Sequence, residues 1–367
     1  MPSRAPDERF MQRALRLAER GRGRTRPNPV VGAVVVRGGR VVGEGWHRAA
    51  GLPHAEIEAL RHAGAHARGA TLYVSLEPCA HTGRTPPCTA AIVAAGIRRC
   101  VVAMRDPHRI VNGKGLRALR AAGVEVEAGV LQAEANEVLA GYVTAHRSAR
   151  PRTTWKVAMT LDGRSADGRG RSKWITGANA RGLVQRMRAA SDAIVIGSGT
   201  ARADDPRLTV RGAARGRLAP LRIVCDSGLR LPLTLKLFQP ALARGTVVVC
   251  RRDAPARRAA ALEARGVQVW RLASARGGVS PHALARRLAS EGCHDVLIES
   301  GPALGSAWLK AGLIDRVACF VAPRLLGAPG VPWCGPLGRA SLADAMAGRI
   351  VTVSRAGQDV LLEMEIA

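Results

Sequence analysis

Short runs of Val, Ile and Leu alternate with helix-patterned stretches along almost the whole chain, and that alternation leaves few folds open. VVGAVVV (30–36) and RVVGEG (40–45), joined by RGG, read as a strand hairpin. Before it, residues 7–20 place Phe10, Ala14, Leu17 and Ala18 at helical spacing. After it come a helix over HAEIEALRHAG (54–64), a strand TLYVS (71–75) and a helix TAAIVAAG (89–96). Strands RCVVAM and VEVEAGV follow, then one helix over 132–147. Further along, LRIVCD, TVVVC, VQVW and HDVLIES alternate with the helices PARRAAALEARG, PHALARRLASEG and GPALGSAWLKAG, and RIVTVSRA and DVLLEMEIA extend a sheet edge. The expected class is α/β, with mostly parallel sheets and helices on both faces.

A chain of 367 residues is long for one core and sufficient for two. HRSARPRT (146–153) is polar, charged and carries a proline, so the expected division is 1–147 and 153–367. Aromatics make up 3% of the chain, which suits layers packed from small aliphatics. The net charge of +28 attracts phosphorylated metabolites and nucleic acids alike and does not choose between them. The N-terminus has no apolar signal core and no run of eighteen apolar residues occurs, so no membrane partner and a cytoplasmic setting are expected.

Of the eight cysteines, Cys100, Cys225, Cys250 and Cys319 sit in or beside apolar runs and read as small buried hydrophobes, and a reduced protein is expected. Cys79 and Cys88 differ, because they sit in a polar, Pro-rich loop. With His54 they form a zinc-type donor set, one imidazole and two thiolates, that leaves a fourth position for water. Soft sulfur donors argue against calcium or magnesium. Glu56, two residues after His54, is the candidate proton shuttle. The order His-Ala-Glu, Glu-Pro-Cys, then a later Cys matches the zinc deaminases, in which activated water attacks an amidine-like ring carbon. Glu77 reads as a group that orients loop amides or a ligand. Eight residues separate the cysteines, which puts His81, Thr82, Arg84 and Thr85 at the site's rim. Asn28, between two prolines and ahead of the first strand, is a candidate ring-recognising amide.

RPNPVVGAVVV, VGEGWHRAAGLPHAEIEAL, GATLYVSLEPCAHTGRTPPCTAAI and MRDPHRIVNGKGLRAL together resemble the bifunctional deaminase–reductase family of riboflavin biosynthesis. The resemblance implies a cytidine deaminase-like three-layer α/β/α domain with zinc on His54, Cys79 and Cys88 and proton transfer by Glu56. Its substrate would be 2,5-diamino-6-(5-phosphoribosylamino)pyrimidin-4(3H)-one.

From residue 154 onward the residues alone suggest an α/β domain that binds something anionic. ESGPALGSAWLKAG has a Gly-rich turn opening a helix, which can cradle a phosphate, but it is not the GxGxxG dinucleotide fingerprint. Ordinary αβ turns and caps explain these glycines equally well. The family resemblance extends here through TWKVAMTLDGRSA, SKWIT, GSGTARADDPRLTVR and VAPRLLG. It implies a dihydrofolate reductase-like α/β domain in which NADPH reduces the ribose of the deaminated product. Ala158, Trp174, Thr200, Asp204 and Ser227 then match cofactor positions, as does the turn Gly301, Pro302, Ala303, Leu304, Gly305, Ser306, Ala307. Ser172, Arg188, Leu208, Arg211 and Glu299 match substrate positions. Arg188 and Arg211 offer donor forks for the ribose phosphate, and Lys156 or Asp204 can assist protonation. A homodimer is a family expectation, and no nucleic-acid partner is expected.

Two other readings remain open at this point. A tRNA or nucleoside base deaminase suits the charge, although the eight-residue Cys-to-Cys spacing argues against it. A zinc-stabilised binding protein without chemistry is opposed by Glu56 beside His54.

Overall fold

The computed structural model describes residues 5–82, 86–212, 218–275 and 278–366. The chain divides into two compact units, Met1–Ala149 and Arg150–Ala367.

The first unit is a five-stranded sheet between two helical layers. Its strands are β1 (Gly32–Arg37), β2 (Arg40–Trp46), β3 (Thr71–Val74), β4 (Arg99–Val102) and β5 (Glu125–Ala128), ordered β2-β1-β3-β4-β5. β1 is antiparallel to both of its neighbours, while β3, β4 and β5 run parallel. Alternation along β1 explains the layers. Val34 and Val36 pack on one face against α1 (Ala5–Glu19), α5 (Gln132–Val138) and α6 (Ala140–Ser148). Ala33 and Val35 pack on the other against α2 (Ala55–Ala63), α3 (Cys88–Ala94) and α4 (Lys114–Ala121). The single helix expected over 132–147 is two, broken at Leu139, whose φ of −103° and ψ of 11° leave the helical range. α4 was not anticipated from the sequence.

The second unit begins with β6 (Arg152–Thr160), β7 (Arg164–Ala166), α7 (Ala178–Ala190), β8 (Ala193–Gly197), α8 (Ser198–Asp204) and β9 (Leu221–Cys225). It continues with α9 (Pro240–Ala243), β10 (Thr246–Arg251), α10 (Ala256–Glu263), β11 (Gln268–Leu272) and the short strands β12 (Ser274–Ala275) and β13 (Gly278–Val279). α11 (Pro281–Ser290), β14 (Asp295–Ile298), α12 (Pro302–Lys310), β15 (Arg316–Ala322), β16 (Val331–Pro332), β17 (Gly348–Ala356) and β18 (Asp359–Ile366) complete it. The main sheet has nine strands, in the order β11-β10-β9-β8-β14-β6-β15-β18-β17. From β11 to β15 it is parallel, and β18 and β17 close one edge antiparallel, as the tail pattern led us to expect. Trp155, Leu284, Leu288 and Trp308 fill one face, and Ile194, Ile196, Phe238 and Leu262 another. Both units therefore have the α/β architecture expected. Among the described residues no helix is long and apolar enough to cross a membrane.

Candidate functional sites

His54 caps the start of α2, and Cys88 opens α3. Cys79 follows β3, so two helix starts and a loop bring the three donors together, and their ligating atoms all lie within 4.8 Å of one another. His54 Nδ1 is 3.2 Å from Cys88 Sγ and 3.7 Å from Cys79 Sγ. A tetrahedral zinc ion, with bonds of about 2.0–2.1 Å to nitrogen and about 2.3 Å to sulfur, needs N···S edges of roughly 3.5 Å. The pocket fits that ion in donor chemistry and in spacing. Cys88 N–H also donates to Cys79 Sγ at 3.4 Å. Hydrogen bonds from Cys88 and then His54 hold the Cys79 thiol well below the usual thiol range, whereas its bond to Cys79 and burial push the Cys88 thiol up. The pair shares one ionisation, and a divalent cation lets both thiols ionise.

Glu56 lies in the first turn of α2, is 3% exposed and interacts with Cys88. Burial raises its carboxyl above the usual range, against the pull of His54. Glu77 also faces inward. Its Oε2 accepts the amides of Asp106 (3.1 Å) and Gly113 (2.8 Å), and its Oε1 those of Gly115 (2.9 Å) and Leu116 (3.3 Å). It thereby pins the 106–116 loop beside Cys79, which is the amide-orienting task expected of it. Asn28 reaches the cluster through His47, a residue the sequence reading missed. Asn28 Nδ2 lies 3.0 Å from His47 Nε2, and the His47 ring stands edge-on to His54 at 5.4 Å. His47 is 2% exposed, and burial lowers its pKa. His81 and Thr82 are exposed, and Arg84 and Thr85 lie outside the described residues.

In the second unit a cavity of about 1380 Å³ opens at the C-terminal ends of the parallel strands. Strand ends and the loops after them are where open parallel sheets bind ligands. Ala158, Ser172, Trp174, Thr200, Asp204, Leu208, Ser227 and Glu299 line it, with Arg188 and Arg211 and the segment Gly301–Ala307 apart from Gly305. Gly305 instead faces Trp155, where a Cβ would come within 2.0 Å of the indole. Its lack of a side chain lets α12 lie on β6. Thr200 Oγ1 accepts the Gly301 amide at 3.3 Å and ties α8 to the start of α12. Ser227 Oγ accepts from Val279 N at 3.2 Å. Trp174 is 62% exposed, with the Arg181 guanidinium 4.6 Å from its ring.

The Arg188 fork is not open to a phosphate. Its Nε and Nη2 donate to the two Glu299 oxygens at 2.6 and 2.7 Å, and Nη1 donates to Thr209 O at 3.1 Å. Two largely buried charges far apart in sequence neutralise each other here, which leaves Arg211 as the more available guanidinium on this wall. Lys156 stands on the same wall, its pKa lowered by burial against the opposing pull of Glu299. Asp204 is engaged by Lys173, whose Nζ lies 3.3 Å from Oδ1. A smaller cavity of about 380 Å³ between α1 and the β1–β2 turn is lined by Arg9, Arg13, Arg16 and Arg40 and contains none of these residues.

Residues 151–362 match the family described as the RibD C-terminal domain, and residues 4–104 match the cytidine and deoxycytidylate deaminase zinc-binding region. The riboflavin biosynthesis protein RibD of Aquifex aeolicus is 41% identical over 356 residues, covering 97% of each chain. That of Escherichia coli K12 is 40% identical over 369 residues, covering 98% of this chain and 99% of its own. The structure of Acinetobacter baumannii RibD superposes with a TM-score of 0.92 at 39% identity, covering 100% of both chains. A Thermotoga maritima deaminase/reductase structure superposes with a TM-score of 0.86 at 34% identity over 99% of each. Likeness at this level over both units, with the zinc-type triad in the first and the strand-end cavity in the second, means that the chain belongs to the RibD family of bifunctional riboflavin-biosynthesis deaminase–reductases.

Proposed function

We propose that the chain performs two consecutive reactions on one phosphorylated pyrimidine. The first unit hydrolyses the amidine-type amine of 2,5-diamino-6-(5-phosphoribosylamino)pyrimidin-4(3H)-one. The second reduces the ribose of the resulting uracil compound to a ribityl chain. The observation that carries the first step is the convergence of His54, Cys79 and Cys88 with a buried carboxyl, Glu56, beside them.

His54, Cys79 and Cys88 would hold zinc, which would supply Lewis acidity for activating a hydrolytic water. Glu56 moves the protons. Its carboxylate takes one from the attacking water and delivers it to the ring nitrogen next to the carbon under attack, and a second passes to the departing amine, which leaves as ammonia. The raised pKa caused by burial makes Glu56 a better acceptor than an ordinary surface carboxylate. Asn28 holds the ring, and Glu77 holds the loop beside the ligands.

In the second unit the hydride would come from NADPH. Ala158, Trp174, Thr200, Asp204, Ser227 and the 301–307 turn would hold it, and the volume of the cavity supports room for cofactor and sugar together. Ser172, Leu208, Arg211 and Glu299 would face the substrate, with Arg188 orienting Glu299 and Arg211 meeting the ribose phosphate. Proximity and alignment, more than a strong nucleophile, are what this step asks of the protein. A homodimer belongs to the reading. It is supported by the edge strand β17, which leaves Ile350 56% and Val353 64% exposed. The substrate is a small molecule and not a nucleic acid, and two cysteine donors that must stay reduced to ligate as thiolates suit the reducing cytoplasm.

The test is direct. Purified protein should release ammonia from the diaminopyrimidine phosphate and then oxidise NADPH with formation of the ribitylamino product. Glu56→Gln should keep its zinc and lose about 10²- to 10⁴-fold in ammonia release, the range for a general acid–base group. Ammonia release without NADPH oxidation would remove the second assignment, and an undiminished Glu56→Gln variant would remove the shuttle.

A further inference from the structure

His47 follows β2, touches the metal cluster and is not one of its donors. Both of its ring nitrogens are used. Nδ1 lies 3.1 Å from the Pro53 carbonyl oxygen, and Nε2 lies 3.0 Å from Asn28 Nδ2. A carbonyl oxygen only accepts, so Nδ1 carries the ring proton, and Nε2 of the neutral ring then offers a lone pair. A lone pair can take only the NH₂ end of the Asn28 amide. The other end, Oδ1, has no protein partner among the described residues and is not sealed from solvent.

We propose that His47 is a positioning residue that locks the Asn28 amide in one orientation, so that the deaminase site presents a hydrogen-bond acceptor to the ring. The proposal rests on the reading of Asn28 as the ring-recognising residue. A free asparagine amide has two orientations of similar shape that differ only in which end donates. Turning Asn28 over here would set Oδ1 against the Nε2 lone pair and leave the buried His47 nitrogen unpartnered, which makes the locked orientation about 10- to 100-fold preferred. An acceptor at this place selects a ring edge that carries N–H, whether a protonated ring nitrogen or an exocyclic amine. It refuses an edge that offers only lone pairs, because two acceptors would then meet in a site with no donor between them. Pro53 immediately precedes the ligand His54, so the same short segment fixes the metal ligand and, through its carbonyl, the tautomer of the histidine that sets the recognition amide.

His47→Asn isolates the effect, because an asparagine amide can still reach the Pro53 carbonyl while the acceptor at the Nε2 position is gone. We expect zinc content and melting temperature close to those of the parent, and kcat/KM for ammonia release lower by about 10- to 100-fold, mostly through KM. Adding Asn28→Asp should recover at least tenfold of that loss, because a carboxylate offers an acceptor whichever way it turns. A role confined to packing would not be rescued this way. The tautomer is read without turnover from ¹⁵N-resolved histidine side-chain spectra of the zinc-loaded protein. The Nδ1-protonated, Nε2-bare form is expected, and an Nε2-protonated ring would overturn the proposal. So would a His47→Asn protein with parental KM, or a double variant that gains nothing from Asn28→Asp. Parent protein that releases no ammonia would instead count against the deaminase reading, which the spectra do not touch.

Discussion

Gly45→Ala is expected to damage the deaminase and spare the reductase. Gly45 lies in β2 directly under α2, the helix whose first turn carries Glu56 and whose cap is His54. A Cβ on Gly45 would stand 2.3 Å from the Ala55 carbonyl oxygen, 2.5 Å from Ala59 N and 2.7 Å from the Glu58 Cβ. Non-bonded heavy atoms prefer separations of about 3.5 Å or more, so helix and strand must part by roughly 1 Å. Two of the three clashing atoms are helix backbone, which cannot rotate out of the way. Overpacking of this kind costs about 1–3 kcal/mol. The catalytic consequence is larger, since Cys79 and Cys88 stand on other elements and do not follow α2; a 1 Å misplacement of Glu56 and His54 against them costs on the order of 10²-fold in rate. Ammonia release, bound zinc and melting temperature measure the damage, and NADPH oxidation with the deaminated substrate serves as an internal control. Gly182→Ala calibrates the argument, because that position in α7 has no atom within 4 Å of its Cβ direction. There the helix propensity of alanine should stabilise by about 0.5–1 kcal/mol. A Gly45→Ala protein with parental ammonia release and an unchanged or higher melting temperature would show that the distance between β2 and α2 does not hold the shuttle in place.

The remaining predictions concern metal, charge and pH. Stripping the metal with a chelator should abolish ammonia release and leave NADPH oxidation with the deaminated substrate unchanged, and zinc alone should restore the first activity; parallel loss of both would contradict two separable sites. Arg188→Ala should destabilise the second unit by about 3 kcal/mol in denaturant titrations, the low end for a broken buried pair, because Glu299 loses its partner while only 11% exposed. Replacing both residues with apolar ones should cost less than the single change, and a larger loss in the double variant would refute the pair account. Arg99 donates to Asp7 at 2.9 Å through both Nη atoms and lowers its pKa, so the stabilisation is present above the unfolded carboxylate value of about 3.9 and is lost as pH falls through the lower folded value. The stability gap between parent and Asp7→Asn should therefore be widest near neutrality and close in acid, and a gap independent of pH would dismiss the ion pair as its cause.

What the sequence made legible and what it hid divide along one physical line, the chain distance over which a feature is specified. The strands announce themselves because a buried strand needs consecutive Val and Ile, as in VVGAVVV and TVVVC, and the metal triad does so because donor types and spacing lie within a few dozen residues. α4 was hidden by Gly113 and Gly115, which look like turn punctuation. Gly115 is there for another reason: a Cβ would come within 2.0 Å of the Pro78 carbonyl oxygen, and the helix start is pressed onto the Glu77–Cys79 segment with its amides caged by Glu77. The break at Leu139 was hidden because residues on either side keep helical spacing. Arg188 looked like a free phosphate fork because its acid lies 111 residues away, and His47 carried no signal because its amide partner lies 19 residues earlier. Each of these is a pairing that burial makes obligatory once the fold has formed, since an unpartnered charge or nitrogen inside costs more than the contact gains. A motif thus names the atoms that meet the substrate, while the residues that hold those atoms in the productive orientation are chosen by the packed surroundings and become visible only there.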